Sequence, residues 1–321
     1  MHHRQYRPGE VIVPKAQRAR FPHPLRGTDA ARRLRRGRRY IQATLLARRH
    51  NGRLPADAPT LQFYPIRPSP KSSMVRLCAR LGLRVGFDPD GPGTVFAWDD
   101  RHYFPAAALR RLPPGAINGR CVDVSKSHVD ALWEEVAGYG LQLDPTKAAE
   151  PIVVKSEENG NHDGRLLMGP LDSVEPGLVY ERLVESLDHD GRIYTVRPLV
   201  LGGRLPMAYE VWRPYPRWFH GGAEVLPART EDVLSEEERA LVLRFAERIG
   251  LQYGEVDVLR DRSSGRIYVV DANRTPLRPL SMAAHLDAAV YQEMARHFAE
   301  FLAERGAAPA DYLDHRLASA E

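Results

Sequence analysis

Residues Tyr253 to Pro276 read YGEVDVLRDRSSGRIYVVDANRTP. Two apolar runs flank a loop of Asp, Arg, Ser and Gly, the pattern of a β-hairpin. Each run carries acidic residues where a strand ordinarily prefers Val or Ile. A hairpin centred on Ser264 places Asp257 opposite Asp271 and Glu255 opposite Asn273. Side chains two residues apart on a strand share a face, so these four polar groups crowd onto one face. The other face carries Val256, Val258, Val270 and Ala272, which suits a core. A bulge in the turn would shift this register by one.

Like charges directly opposite each other are unfavourable, so the facing carboxylates call for a cation. Carboxylate and amide oxygens are hard ligands that suit Mg²⁺ or Mn²⁺. Mg²⁺ is commonly held by one or two carboxylates together with substrate phosphates. By itself the hairpin fits a metal–nucleotide site and fits equally well a polar, solvent-facing hairpin.

The 321 residues suggest two domains, or one large domain with an accessory part. With 43% hydrophobic and 27% charged residues there is ample material for a core. No run of about 18 apolar residues exists, so no span is expected, and no leader segment is expected either. Cys78 and Cys121 sit in no CxxC or Cys/His cluster, and reduced thiols in a cytoplasmic, at most membrane-peripheral, protein are expected. The net charge of +5 hides an asymmetry. Residues 1–60 hold 15 Lys and Arg against 3 Asp and Glu, while the rest hold 31 against 38. The densest basic run is Arg32-Arg33-Leu34-Arg35-Arg36-Gly37-Arg38-Arg39, in a helix expected from Asp29 to His50 with Asp29 as a candidate N-cap. Such a run either meets phosphates, on nucleic acid or lipid head groups, or forms a solvated helix face against the acidic remainder. The solvated face is the expected reading, and no aromatic interleaving points to nucleic acid.

After an irregular arm, α/β signals run from Thr60 to about Pro114. LQFYPI reads as a strand, and SSMVRLCARLGLRVGF as a helix closed by Gly82 and followed by a strand. TVFAWDD and HYFP read as a short hairpin. SKSHVDALWEEVAGY, from Ser125 to Tyr139, is a helix with Ser127 as candidate cap and Asp130 near the capping-box spacing. PIVVK, RLLMG, LVYERLV, IYTVRPLVLGG and RLPMAYEVW are strands. Ser235 to Gly250 is a helix with Glu238 in the capping-box position. A terminal helix runs from about Asp287 to Arg305.

From about Asn118 to Pro276 the sequence resembles the ATP-grasp superfamily. In that family an early Lys follows a short strand and opens a helix, and Lys126 in DVSKSHVDALW matches. A second Lys ends a strand before a phosphate-covering loop, and Lys155 in IVVKSEENGNHDGR matches. An acid then begins the hinge that meets adenine. Here that hinge is Glu181-Arg182-Leu183 in VYERLVES, with Glu185 as the ribose-binding carboxylate. Arg197 in YTVRPLVLGGR matches the Arg that meets the transferred phosphate. Asp257, Asp271 and Asn273 match the Mg²⁺ ligands. Lysine, a compact point charge, suits a phosphate oxygen. Two departures stand out. The loop Asn159-Gly160-Asn161-His162-Asp163-Gly164 is poorer in Gly and Ser than is usual, and Asp271 stands where many members carry Glu.

The resemblance implies an α+β or α/β chain with the ATP-grasp fold. It would comprise a basic arm and helix (1–59), a small N-terminal α/β lobe (60–117) and a nucleotide-binding and catalytic region (118–321). ATP and Mg²⁺ or Mn²⁺ would be the cofactors. The implied activity is an ATP-dependent carboxylate–amine ligase, in which Lys126 and Lys155 hold the ATP phosphates and Arg197 stabilises the acyl phosphate, Arg197 and Lys155 being the catalytic residues. The alternatives are a small-molecule kinase with a hydroxyl acceptor and a non-catalytic nucleotide-gated protein with an anion-binding arm. Arg274 either binds the substrate carboxylate or phosphate or pairs with Glu255. The expected partners are small or carrier-linked carboxylates and amines; an anionic membrane or lipid-linked substrate met by the basic arm is the alternative to its solvated-face reading. Acceptor specificity would lie in residues 60–115, 205–225 and 274–282. There Lys71, Trp212, Tyr215 and Trp218 are candidates whose surface or packing roles are at least as expected, and a solvated role is expected for His162.

Overall fold

The computed structural model describes residues 29–70, 72–157, 163–214, 223–276 and 284–318. Lys71, residues 158–162 with His162, and residues 215–222 with Tyr215 and Trp218 lie outside this set, as do residues 1–28 and 277–283.

The first part holds α1 (Asp29–Asn51), β1 (Thr60–Pro65), α2 (Ser73–Arg80), β2 (Arg84–Gly86), β3 (Thr94–Trp98) and the short α3 (Ala106–Leu109). The hydroxyl of Ser72 accepts the Val75 amide at the start of α2. Leu81 is its C-cap, and Gly82 follows at φ +62°, so the expected Gly82 stop lies one residue past the cap. The strands form a parallel sheet in the order β2-β1-β3. This corrects the hairpin expected from TVFAWDD and HYFP. TVFAW pairs with β1 some 30 residues earlier, and Tyr103 makes only an isolated bridge with Asp123.

Next come α4 (Lys126–Ala137) and a small antiparallel sheet of β4 (Pro151–Ser156), β5 (Arg165–Met168) and β6 (Leu178–Arg182), ordered β5-β4-β6. Ser125, not Ser127, is the N-cap of α4. Asp130 is buried and accepts the amides of Leu141 (2.7 Å) and Gln142 (2.8 Å), so it fixes the exit from α4 rather than its start.

The main sheet contains β7 (Arg192–Leu201), β8 (Ala208–Pro214), β9 (Glu224–Ala228), β10 (Tyr253–Arg260) and β11 (Ile267–Asn273). It is antiparallel, ordered β11-β10-β7-β8-β9. Between β9 and β10 lie α5 (Thr230–Val233) and α6 (Glu236–Ile249), and α7 (Ala284–Glu304) and α8 (Ala310–Ala318) close the chain. The capping box at α6 is complete, with Ser235 and Glu238 bonded reciprocally and Gly250 in the left-handed region.

Alternation along β7 and β10 divides two cores. Leu199, Leu201 and Tyr253 face a cluster that holds Phe63, Phe96 and Trp98 of the parallel sheet and Phe298 and Phe301 of α7. Tyr253 joins these parts through edge contacts with Phe96 (5.4 Å between ring centres) and Phe298 (5.6 Å). Val196, Val200, Val256 and Val258 face the opposite way, onto Trp133 of α4 and Phe245 of α6. Asn118, at φ +58°, ties the two regions together. Its side chain accepts the amides of Gln252 and Tyr253 and donates to the Tyr253 carbonyl at 2.7 Å.

Candidate active site

The hairpin of β10 and β11 pairs Glu255 with Asn273 and Asp257 with Asp271, the register expected from its sequence. Immediately beyond Asp257 a bulge shifts the ladder, so Val258 lies opposite Val269 instead of Val270. The acids point to the face shared by Leu199 and Leu201, at the end where the aromatic core stops. Arg197, two residues before Leu199 on β7, shares that face. Its Nη2 donates to Asp257 Oδ2 at 2.5 Å.

These acids are incompletely neutralised. Burial pushes the Glu255 carboxyl up to about 7, opposed by Arg197 and reinforced by Asp257. Burial also raises Asp271, with the Asp257 charge as the next cause; Lys126, Lys155 and Arg197 act against the rise. Arg197 is driven further above the usual arginine range, chiefly by the Asp257 charge. Its Nε is buried with no hydrogen-bond partner among the described residues, which leaves a donor for a ligand oxygen.

The two lysines converge on the same place. Lys155, at the end of β4, pairs with Glu181 of β6 at 2.7 Å, and both side chains are largely buried. Burial raises the Glu181 carboxyl, and the Lys155 charge pulls it back. Lys126 is the first residue of α4. Burial lowers its pKa, while Asp271 supports its charge and Lys155 opposes it. The start of α4 is anchored to the end of β4 by Glu157, which accepts the Ser127 amide (3.0 Å) and hydroxyl (2.7 Å). Lys126, Lys155, Glu181, Arg197, Asp257 and Asp271 thus form one electrostatically coupled group.

The other expected site residues have different settings. Arg182 and Glu185 are exposed and Leu183 is half-buried, along the stretch that leaves β6. Asn273 is exposed at the hairpin end, and its Oδ1 accepts the Thr275 amide. Arg274 bonds to backbone carbonyls rather than to Glu255. It is 1% exposed, and its guanidinium donates to the carbonyls of Asp99, Cys121, Arg101 and His102. Trp212 packs on Tyr194, on the face of the sheet opposite Arg197. Cys78 and Cys121 are free, and burial raises both thiols.

Arg213 was not anticipated. Tyr209 and Val211 are buried on the Arg197 face of β8, and Arg213 continues that row. Burial lowers its pKa, while the Asp257 charge raises it and Arg197 lowers it. An arginine where alternation calls for an apolar residue was the signal available in AYEVWRP.

The donor pair suits a divalent cation: Asp257 and Asp271 face each other across the hairpin, and hard carboxylate oxygens favour Mg²⁺ or Mn²⁺. The comparison with solved structures assigns the architecture. The ATP-grasp ligase PsnB, complexed with a phosphomimetic variant of a minimal precursor, Mg and ADP, superposes with a TM-score of 0.51 at 14% identity. The match covers 83% of this chain and 99% of that one. The chain has the ATP-grasp fold. D-alanine–D-alanine ligase from Bacillus anthracis, complexed with ATP, matches more loosely, with a TM-score of 0.47 at 14% identity over 77% of this chain and 97% of that one. A RimK domain ATP-grasp protein from Sphaerobacter thermophilus gives 0.46 at 14% identity, over 75% and 98%. No protein-family model matches the sequence, and no curated protein does either. Among the described residues, no helix is long and apolar enough to cross a membrane.

Proposed function

We propose that this ATP-grasp chain is an ATP-dependent ligase that activates a carboxylate as an acyl phosphate and couples it to an amine. The substrate carboxylate oxygen attacks the γ-phosphorus of ATP, and ADP leaves. The amine nitrogen then attacks the acyl carbon, phosphate leaves, and the amine gives up a proton. The product is an amide.

In this reading residues 118–321 hold the nucleotide and the reacting groups, and residues 60–117 form an accessory lobe. Lys126 and Lys155 bind phosphate oxygens, and Lys155 also counters charge that develops on the transferred phosphoryl group. Glu181, Arg182 and Leu183 border the adenine, and Glu185 the ribose. Asp257, Asp271 and Asn273 hold Mg²⁺ or Mn²⁺, which neutralises phosphate charge when bound. Arg197 offers its unpartnered Nε–H to the acyl phosphate. Arg213, on the same face, is placed to meet an anionic substrate group.

The observation that carries this reading is the convergence of two lysines from α4 and β4 on a facing pair of aspartates in β10 and β11. A polar solvent-facing hairpin would have no such lysines and no buried acids. PsnB supports the reading, being a ligase seen with Mg and ADP on this fold. The test is ADP and phosphate release with panels of carboxylates and amines, on wild type and on Asp257→Ala and Asp271→Ala. Release that requires both acid and amine, and that is lost in both variants, is expected. Near-normal turnover in the variants would refute the site. A stable phosphorylated product formed without an amine would identify a kinase instead.

A further inference from the structure

We propose that the outer face of α1 docks on an anionic lipid surface. The helix is amphipathic in the inverted sense. Among its described side chains, Ala43 and Ala47, one turn apart, are the buried ones, at 7% and 8% exposure. Three larger aliphatic side chains face away from the protein: Ile41 is 59% exposed, Leu45 58% and Leu46 45%. A helix that served only to cover the protein would bury Ile and Leu and expose Ala.

This orientation is held firmly. His50 bonds the Leu83 carbonyl at 2.9 Å, and the Asn51 side chain both donates to the Val85 carbonyl and accepts its amide, each at 2.9 Å. Arg67 stacks on the Tyr40 ring and donates to Thr44. The helix therefore cannot roll to bury Ile41 and Leu45 without breaking these bonds.

Charge decides the occupant. Asp29–Asn51 contains eight arginines and one acid. Arg48 and Arg49 are exposed and lie three and four residues after Leu45, on its face of the helix. A second copy would bring a like charge against this one, and residues 1–28 are themselves basic. Nucleic acid would engage the arginines but leaves the aliphatic strip without a partner. A peptide helix needs a groove, whereas Ile41 and Leu45 crown a convex ridge. A strip of Ile and Leu flanked by Arg matches the interfacial zone of a membrane, where apolar side chains enter the acyl boundary and arginines meet lipid phosphates.

The test uses the full chain and sedimentation with vesicles. One set is phosphatidylcholine alone; the other contains about a third phosphatidylglycerol, enough for a strongly negative surface. Binding to the anionic vesicles only, weakened by added salt, is expected. Ile41→Ser with Leu45→Ser, and separately Arg48→Glu with Arg49→Glu, should each weaken it about tenfold. These positions are exposed, so unfolding temperature and nucleotide binding should not change. Equal binding to neutral vesicles would overturn the proposal. So would binding that survives both double variants, or tighter capture of an acidic peptide such as polyglutamate than of the anionic vesicles.

Discussion

Arg197 on β7 and Asp257 on β10 are paired across adjacent strands, with Nη2 2.5 Å from Oδ2. The pair lies beside Glu255 and Asp271; Arg197 compensates Asp257 and Glu255, while Lys126 and Lys155 act ahead of it on Asp271. Replacing Arg197 with Ala should lower kcat by about 10²- to 10³-fold, the usual loss when a charge-stabilising donor is removed. Arg197→Lys should fall between, because it keeps the charge and loses the fork of donors. ADP release at saturating substrate measures both. The same Ala variant should unfold at lower temperature in chelator and recover when Mg²⁺ is added. An unchanged unfolding temperature in chelator would show that the arginine is not needed to balance the acids.

Glu255 makes stability depend on pH. Its carboxyl rises from 4.5 to about 7 on folding because it is buried. The folded state therefore holds the proton more tightly than the unfolded state. The stabilising contribution is full below pH 4.5 and is lost as pH rises through about 7. Over that window the metal-free protein should lose stability of the order of 3 kcal/mol from this group. Glu255→Gln, which is neutral throughout, should flatten that part of the curve. Urea unfolding in chelator across the window measures it; parallel wild-type and Gln curves would count against the burial argument.

Lys155 and Glu181 form a buried ion pair, so the two single variants and the double variant should separate folding from binding. Lys155→Met leaves Glu181 without its counter-charge and should cost about 3 kcal/mol. Adding Glu181→Gln should restore most of that. On the proposed role of Lys155, binding of a non-hydrolysable ATP analogue should remain weak in the double variant, because the charge proposed to meet phosphate is still absent. Recovery of binding together with stability would mean that Lys155 is only structural.

The local parts of this site were legible in its sequence, and the non-local parts were not. The Glu255–Asn273 and Asp257–Asp271 pairings follow from alternation and a short turn, both contained in one stretch of chain. The bulge beyond Asp257 depends on how the turn packs and leaves no residue signature. TVFAW looked like half of a hairpin because a parallel partner leaves no turn in the sequence to announce it. The strand β9 carries Pro227 and lies at a sheet edge, which hid it from propensity. The setting of Arg274 was illegible for a related reason. Its partners are backbone carbonyls 153 to 175 residues earlier, and carbonyls belong to every residue type.

Arg274 yields the sharpest contrast between a binding role and a structural one. Its guanidinium is fully buried, and no carboxylate pairs with it among the described residues. Four carbonyls of the segments around Asp99 and Cys121 supply the acceptors, so the arginine fastens the end of the β10–β11 hairpin to the preceding lobe. Arg274→Met removes the donors, strands those carbonyls, and should destabilise the protein by about 3 kcal/mol or more. Arg274→Lys keeps the charge but offers fewer donors in the wrong geometry, and should lower the unfolding temperature by less. In the Lys variant, measured well below its unfolding temperature, KM for the carboxylate should stay near the wild-type value. A raised KM with an unchanged unfolding temperature would return Arg274 to the substrate.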